Sequence, residues 1–403
     1  MLLKHWCNQQ MLLTALLDRY SVILKGISDL ENAIMEEVEN DIFGPNGEVD
    51  PQKLEALEIV VSVPDTYLAP HYSDLDFKIY FRMSRSTVEN LCTAIGPQIY
   101  ARTVNRERKV LASLWVLANS ETFQDVADRF HLAKGQLHKI FTKFCNAIDT
   151  WSKDLIQMPS KSQQLEIAKE IQNRTTIPGV IGVVDGCHIH IRGPGQPHRD
   201  AYLNRRGVPS IKLMGTCDHN LRFIDVYIGW PGSVSDAKVF QHSPLKEYLE
   251  SGNIDKDFHL VADAGYKNMP YLLTPYREAL SDIHLNYNNK HSQVHSLIKK
   301  AFRLLKGKFN RLRYLDMFKI KDISLIIKTA CTMMNFWIET EQPGPEELGL
   351  YDDTVDEDVI IDDDGLYVNV ENEGMDEGWE DEMRDVEAEN EAIFKRDKIC
   401  LLL

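Results

Sequence analysis

The spacing of apolar and polar positions divides the chain into segments of different texture. Over residues 79–150 the apolar positions recur at helical spacing through FRMSRSTVENLCTAI, RKVLASLWVLAN and ETFQDVADRFHLAKGQLHKIFTKFCNAI. Ser84 or Ser86 stands where a helix cap belongs, and Glu89 lies three residues after Ser86, a capping-box spacing. Phe123, Val126, Ala127 and Phe130 define one helix, and Leu137, Ile140, Phe141 and Phe144 a second, across a break at residues 131–134. Such a pair is either an ordinary helical hairpin or a helix-turn-helix. Lys134, Gln136, His138, Lys139 and Lys143 on its second helix suit DNA contact. From residue 177 the texture becomes strand-like: IPGVIGVVDGCHIHI, SIKLMGTCD and RFIDVYIGW, then a helix SDAKVFQHSPLKEYL, a strand HLVADAGY and a long basic helix. That order predicts an α/β core with a mixed sheet. The leucine-rich start, MLLKHWCNQQMLLTALLDRY, is interrupted by Lys4, His5 and Asp18, which predicts an amphipathic helix rather than a signal peptide.

Charge changes this picture at one end. The 403 residues carry a net charge of −16, yet residues 341–394 hold 22 Asp/Glu against the single base Arg384. That stretch sums to 1 − 22 = −21 and leaves +5 for the rest, a mildly basic body compatible with nucleic acid. The acidic tail is expected to be disordered and solvated. No apolar run is long enough to cross a membrane. Seven cysteines, an odd number without CxxC spacing, read as reduced thiols in an intracellular protein. Cys187, His188, His190, Cys217 and His219 invite a zinc reading, but their spacing fits no standard finger. The last four residues, CLLL, match a prenylation box with Cys400 as acceptor and a possible lipid anchor. No P-loop, GxSxG or dinucleotide fingerprint occurs.

Two aspartates carry the candidate chemistry. Asp185 ends the apolar run VIGVVD and Asp263 ends HLVAD. A carboxylate at the tip of a buried strand is costly unless it is solvated, paired or bound to metal. Two such tips on neighbouring strands would form a hard-oxygen site for Mg²⁺ or Mn²⁺, the kind that cleaves phosphodiesters with two metal ions.

The ordered motifs IGVVDGCHIHI, the Gly193–Pro194 loop, AYLNRRG, GWPGSVSDAKVF, VADAGY, LLTPYR and AFRLLKGKF resemble the DDE-type endonuclease domain of PIF/Harbinger transposases and the host nucleases derived from them. The resemblance covers residues 78–340. It implies an RNase H-like fold, divalent metal held by acidic residues, DNA as substrate, a Myb-like DNA-binding partner protein and a nuclear location, cytoplasmic when the partner is absent. Carried over by position, Asp185 and Asp263 are catalytic and metal-binding. Asp236 of GSVSD is a further metal position, with helix capping as its equal alternative. The third acid of the family is a glutamate on the helix opening with a VERAFG-like sequence. This chain reads IKKAFR there and places Lys299 at that position, with 35 residues between Asp263 and Lys299. No Asp or Glu occurs between His291 and Tyr314 to replace it. The expectation is a nuclease-like protein of impaired catalysis, or a catalytically silent DNA- or protein-binding module, with the metal possibly lost.

On the long helix, Ala301, Phe302, Leu305, Phe309 and Leu312 share a face predicted to be core. Lys299, Arg303, Lys306 and Arg313 line its flank, and together with Arg205, Arg206 and Lys212 they form an expected phosphate track. The predicted organisation is an N-terminal helix (1–42), a linker (43–77), a helical helix-turn-helix-like domain (78–176), the RNase H-like nuclease domain (177–340) and an acidic disordered tail (341–403).

Overall fold

In the computed structural model the described residues are 72–96, 98–99, 104–316, 319–349 and 379–403. The predicted N-terminal helix and nearly all of the linker lie outside them. Six helices precede the sheet: α1 (Asp74–Phe81), α2 (Arg85–Ile95), α3 (Arg106–Ala118), α4 (Phe123–Arg129), α5 (Lys134–Leu155) and α6 (Lys161–Thr175). Ser84, not Ser86, caps α2, accepting from the Thr87 backbone N–H. Thr122 and Asp125 form a reciprocal capping box on α4. Every residue of α3 from Lys109 to Ala118 is buried, because the helix runs through the middle of its layer. There Trp115 stacks on Tyr80 at 5.0 Å and meets Phe81 and Phe130 edge-on.

The sheet contains β1 (Val180–His190), β2 (Ser210–Cys217), β3 (Phe223–Pro231), β4 (His259–Val261) and β5 (Leu272–Leu273) in the order β3-β2-β1-β4-β5. β1–β2 and β2–β3 pair antiparallel, whereas β1–β4 and β4–β5 pair parallel, so the sheet is mixed as the pattern predicts. Short helices α7 (Asp236–Gln241) and α8 (Pro244–Glu250) follow β3, and the 27-residue α9 (Asp282–Lys308) crosses the sheet. α10 (Ile320–Glu341) and α11 (Pro345–Gly349) come next. One apolar cluster joins Trp115 and Phe144 of the helical layer to Val183, Phe302 and Trp337, and a second on the opposite side gathers Ile181, Val184, Met214, Val239 and Leu260. The buried Asn335 of α10 ties three elements together. Its Nδ2 donates to Leu155 O (2.9 Å) and Phe223 O (2.7 Å), and its Oδ1 accepts from Phe223 N (2.8 Å).

The last part of the tail departs from expectation. Residues Trp379–Leu402 form a helix, α12, rather than a disordered segment. Its last part docks on the β4–β5 side. The Lys395 ammonium donates to the carbonyls of Lys256 (2.6 Å), Phe258 (2.8 Å) and Pro270 (2.8 Å), and Arg396 lies 4.0 Å above the Tyr276 ring. Ala392, Ile399 and Cys400 form the buried stripe of α12. Among the described residues no helix is long and apolar enough to cross a membrane.

Candidate active site

Strand register builds the core of the site. Val183 of β1 lies beside Val261 of β4, so two residues further along the parallel pair Asp185 and Asp263 come side by side on one face. Asp185 is not at a strand tip, as the apolar run suggested, since β1 continues in register with β2 to His190. Backbone donors orient both acids: Gly186 N–H to Asp185 Oδ1 at 2.8 Å, and Gly265 N–H to Asp263 Oδ1 at 3.0 Å.

Asp236 is the first residue of α7, while Ser235 supplies the cap. The Asp236 carboxylate rests on the backbone of β1, where only glycine fits: a Cβ on Gly186 would lie 1.9 Å from Asp236 Oδ1. Lys212 of β2 reaches the same carboxylate, with Nζ 3.0 Å from Oδ1 and both side chains at or below 10% exposure. Lys212 is therefore a buried counter-charge and not a phosphate contact.

α9 closes the site with bases. His295 Nε2 is 3.5 Å from Asp185 Oδ2, and Lys299 follows one turn later on the same side. Burial raises the Asp185 carboxyl well above the usual range, and the charges of Asp263 and Asp236 add to the rise; the Gly186 N–H and the Lys299 ammonium oppose it. Burial lowers His295 to about 3, helped by His291 and by Lys299. The Lys299 charge is thus felt at both Asp185 and His295. A search for carboxylates does not find His295 in the sequence; its signal there is the i−4 spacing from Lys299.

The donor set does not fit a divalent ion. Among the described residues no three His, Cys, Asp or Glu side chains come close enough together to hold one. Asp236 is paired with Lys212, burial raises the Asp185 carboxyl, and Lys299, four residues after His295, holds the helix position where the resemblance implies the third acid. Among the described residues the zinc candidates form no group able to hold an ion, and the His188 ring is bonded to Ser210 Oγ at 2.7 Å.

The expected phosphate track is divided. Arg205 and Arg206 are exposed on a turn organised by Asn204, whose Oδ1 accepts from the N–H groups of Arg206 and Val208 at 3.0 Å each. Arg303 and Arg313 are half-buried. Lys306 is fully buried and donates to His188 O at 2.9 Å, so it braces β1 and leaves the track. A cavity of about 690 Å³ lined by Arg174, Arg222, Lys300 and Leu304 includes none of the three acids. Cys400 is buried, its Sγ 3.4 Å from Ile283 O, and does not present the thiol that prenylation requires.

Residues 184–335 match the DDE superfamily endonuclease family. A protein of Bos taurus named "Putative nuclease HARBI1" is 28% identical over 306 residues, covering 71% of this chain and 85% of its own length. The Homo sapiens protein of the same name is 28% identical over 285 residues, covering 69% and 79%. The Arabidopsis thaliana protein named Antagonist of Like Heterochromatin Protein 1 is 24% identical over 298 residues, covering 67% and 74%. No solved structure matches.

Proposed function

This chain belongs to the Harbinger transposase-derived family of DDE superfamily endonucleases, and on that premise we propose that it is a DNA-binding descendant whose strand-cleaving chemistry is impaired or lost. The family uses divalent metal ions for cleavage, and the observation that carries the proposal is Lys299 one helical turn after His295, whose ring lies 3.5 Å from Asp185. Two-metal cleavage would require Asp185, Asp236, Asp263 and a further carboxylate to hold the ions, which would supply an activated water and stabilise the leaving oxygen. A lysine at the third position subtracts a ligand and adds repulsion. Between unit charges about 4 Å apart that repulsion is on the order of 4 kcal/mol at the effective dielectric of a protein surface. The lysine instead offsets the charge of the acids, so the fold is held without a metal. In the same reading DNA is the ligand, and a Myb-like partner brings the chain to the nucleus; these last features rest on the family resemblance. DNA contact is supported by the exposed Arg205–Arg206 turn and by the first turns of α5, whose exposed positions include Lys134, His138, Lys139 and Lys143 with no acid among them.

The test is thermal unfolding of the full chain and of Lys299→Glu during Mn²⁺ titration, with plasmid nicking in parallel. Wild type is expected to show no metal-dependent rise in its midpoint and no nicking. Lys299→Glu should unfold earlier without metal and recover with it, by about 2.7 kcal/mol at a hundredfold excess over its dissociation constant. Metal stabilisation of wild type that disappears in Asp185→Ala, or metal-dependent nicking by wild type, would refute the proposal.

A further inference from the structure

Several large apolar side chains are left in water on the end of α12 and around the start of α9. They are Leu280, Ile283, Phe394 (72% exposed), Leu401 (76%) and Leu402. The two helix ends are fastened together: Asn286 Nδ2 donates to Leu403 O at 3.2 Å, and Tyr276 Oη donates to Asp397 Oδ1 at 2.6 Å. The inner side of α12 is set by buried Ala392, Ile399 and Cys400 and by the Lys395 anchor. At 100° per residue, Phe394 and Leu401 are seven positions apart on one line and point directly away from that inner side. Asp397 and Lys398 lie between them, both exposed.

We propose that this outward face is a contact between two copies of the chain. In it α12 packs antiparallel on α12 of the second copy, about a two-fold axis passing between Asp397 and Lys398. The identity of the occupant follows from self-complementarity. About that axis Phe394 faces Leu401 of the second copy, and Asp397 faces Lys398, so one operation makes two apolar pairs and two opposite-charge pairs. The other orientation fails. Parallel helices would set Glu387 and Glu391 against their own copies and Asp397 against Asp397. In the antiparallel arrangement the helices overlap over residues 392–403, and the acidic turns project beyond the contact into solvent. Because α12 is already anchored by Lys395 and Asp397, little ordering remains to oppose association. Leu280, Ile283 and Leu402 border the contact. Two apolar pairs and two exposed charge pairs make a small contact, and the expected dissociation constant is about 1 μM or weaker. The proposal rests on α12 alone and is independent of whether the acid site cleaves DNA.

Sedimentation velocity of the full chain from low to high micromolar concentration tests it. Wild type is expected to shift from monomer to dimer, and Phe394→Glu or Lys398→Asp to weaken the dimer about tenfold or more, as for central interface positions. Unchanged circular dichroism would show these variants to be folded. Register is read by mild oxidation. The double variant Phe394→Cys/Leu401→Cys should give covalent dimers. Either single variant should not, because equivalent positions then lie about two turns apart, roughly 10 Å, beyond disulfide reach. Wild type that stays monomeric throughout, a dimer indifferent to Phe394→Glu, or single variants that crosslink as well as the double would each overturn the proposal.

Discussion

Gly186→Ala adds a single methyl group at the most crowded point of the site. That carbon would lie 1.9 Å from Asp236 Oδ1, 2.4 Å from its Cγ and 2.9 Å from Oδ2. Ordinary contact needs roughly 3.5 Å, so the carboxylate must move by more than 1 Å. It is held by Lys212 at 3.0 Å, and neither side chain is more than 10% exposed, so movement separates a buried ion pair. Breaking such a pair costs about 3–5 kcal/mol, because the remaining charge is left without a partner or water. At about 2 °C per kcal/mol for a chain of this size, the thermal midpoint should fall by roughly 6–10 °C. The assay is thermal and urea unfolding at neutral pH, in wild type and in an Asp236→Ala/Lys212→Met background. In that background the obstacle and the pair are both gone, and Gly186→Ala should cost less than about 1 kcal/mol. Equal losses in the two backgrounds, or a loss below about 1 kcal/mol in wild type, would refute the argument that Asp236 rests against β1.

Two other sites give separable expectations. Asp225 on β3 is raised to about 6 by burial, so its folded pKa exceeds its unfolded one and its contribution to stability falls as pH rises from about 4 to 6. Asp225→Asn should therefore be nearly neutral below pH about 4 and stabilising by up to about 3 kcal/mol at pH 7, read from urea midpoints across pH; a variant no more stable at pH 7 than wild type would remove that assignment. Asn335→Ala deletes three buried hydrogen bonds joining α5, β3 and α10 and should cost about 3–4 kcal/mol in unfolding experiments, whereas a cost under about 1 kcal/mol would mean that water replaces the amide.

The strand that carries Asp185 and the one that precedes Asp263 were legible because buried strands announce themselves as β-branched runs, and their parallel pairing then fixed the two acids in register. The core face of α9 was equally legible: Ile298, Ala301, Phe302 and Leu305 are all buried. What failed was charge taken as exposure. Lys306 is four residues from Phe302 and next to Leu305, so helical spacing puts it beside the core, and only its ammonium suggested solvent. Lys212 likewise occupies an inward position of β2 and is tolerated because Asp236, 24 residues later, arrives from another element. That meeting depends on how α7 returns to the sheet, which no local spacing encodes. The end of the tail differs for the opposite reason. The acids up to Glu391 suggest solvation for the whole segment, whereas the turns after them are amphipathic and dock.

The docking of α12 bears on how copies of this chain avoid accretion. β5 is two residues long and ends the sheet, a margin that would otherwise offer bare backbone acceptors to a passing strand. The carbonyls of Pro270, Thr274 and Pro275 along that margin are instead taken up by Lys395 and Arg396. A chain shortened before Trp379 would return them to water and hand neighbouring molecules a template. Such a fragment is expected to clump through its fifth strand while its three acids stay in place.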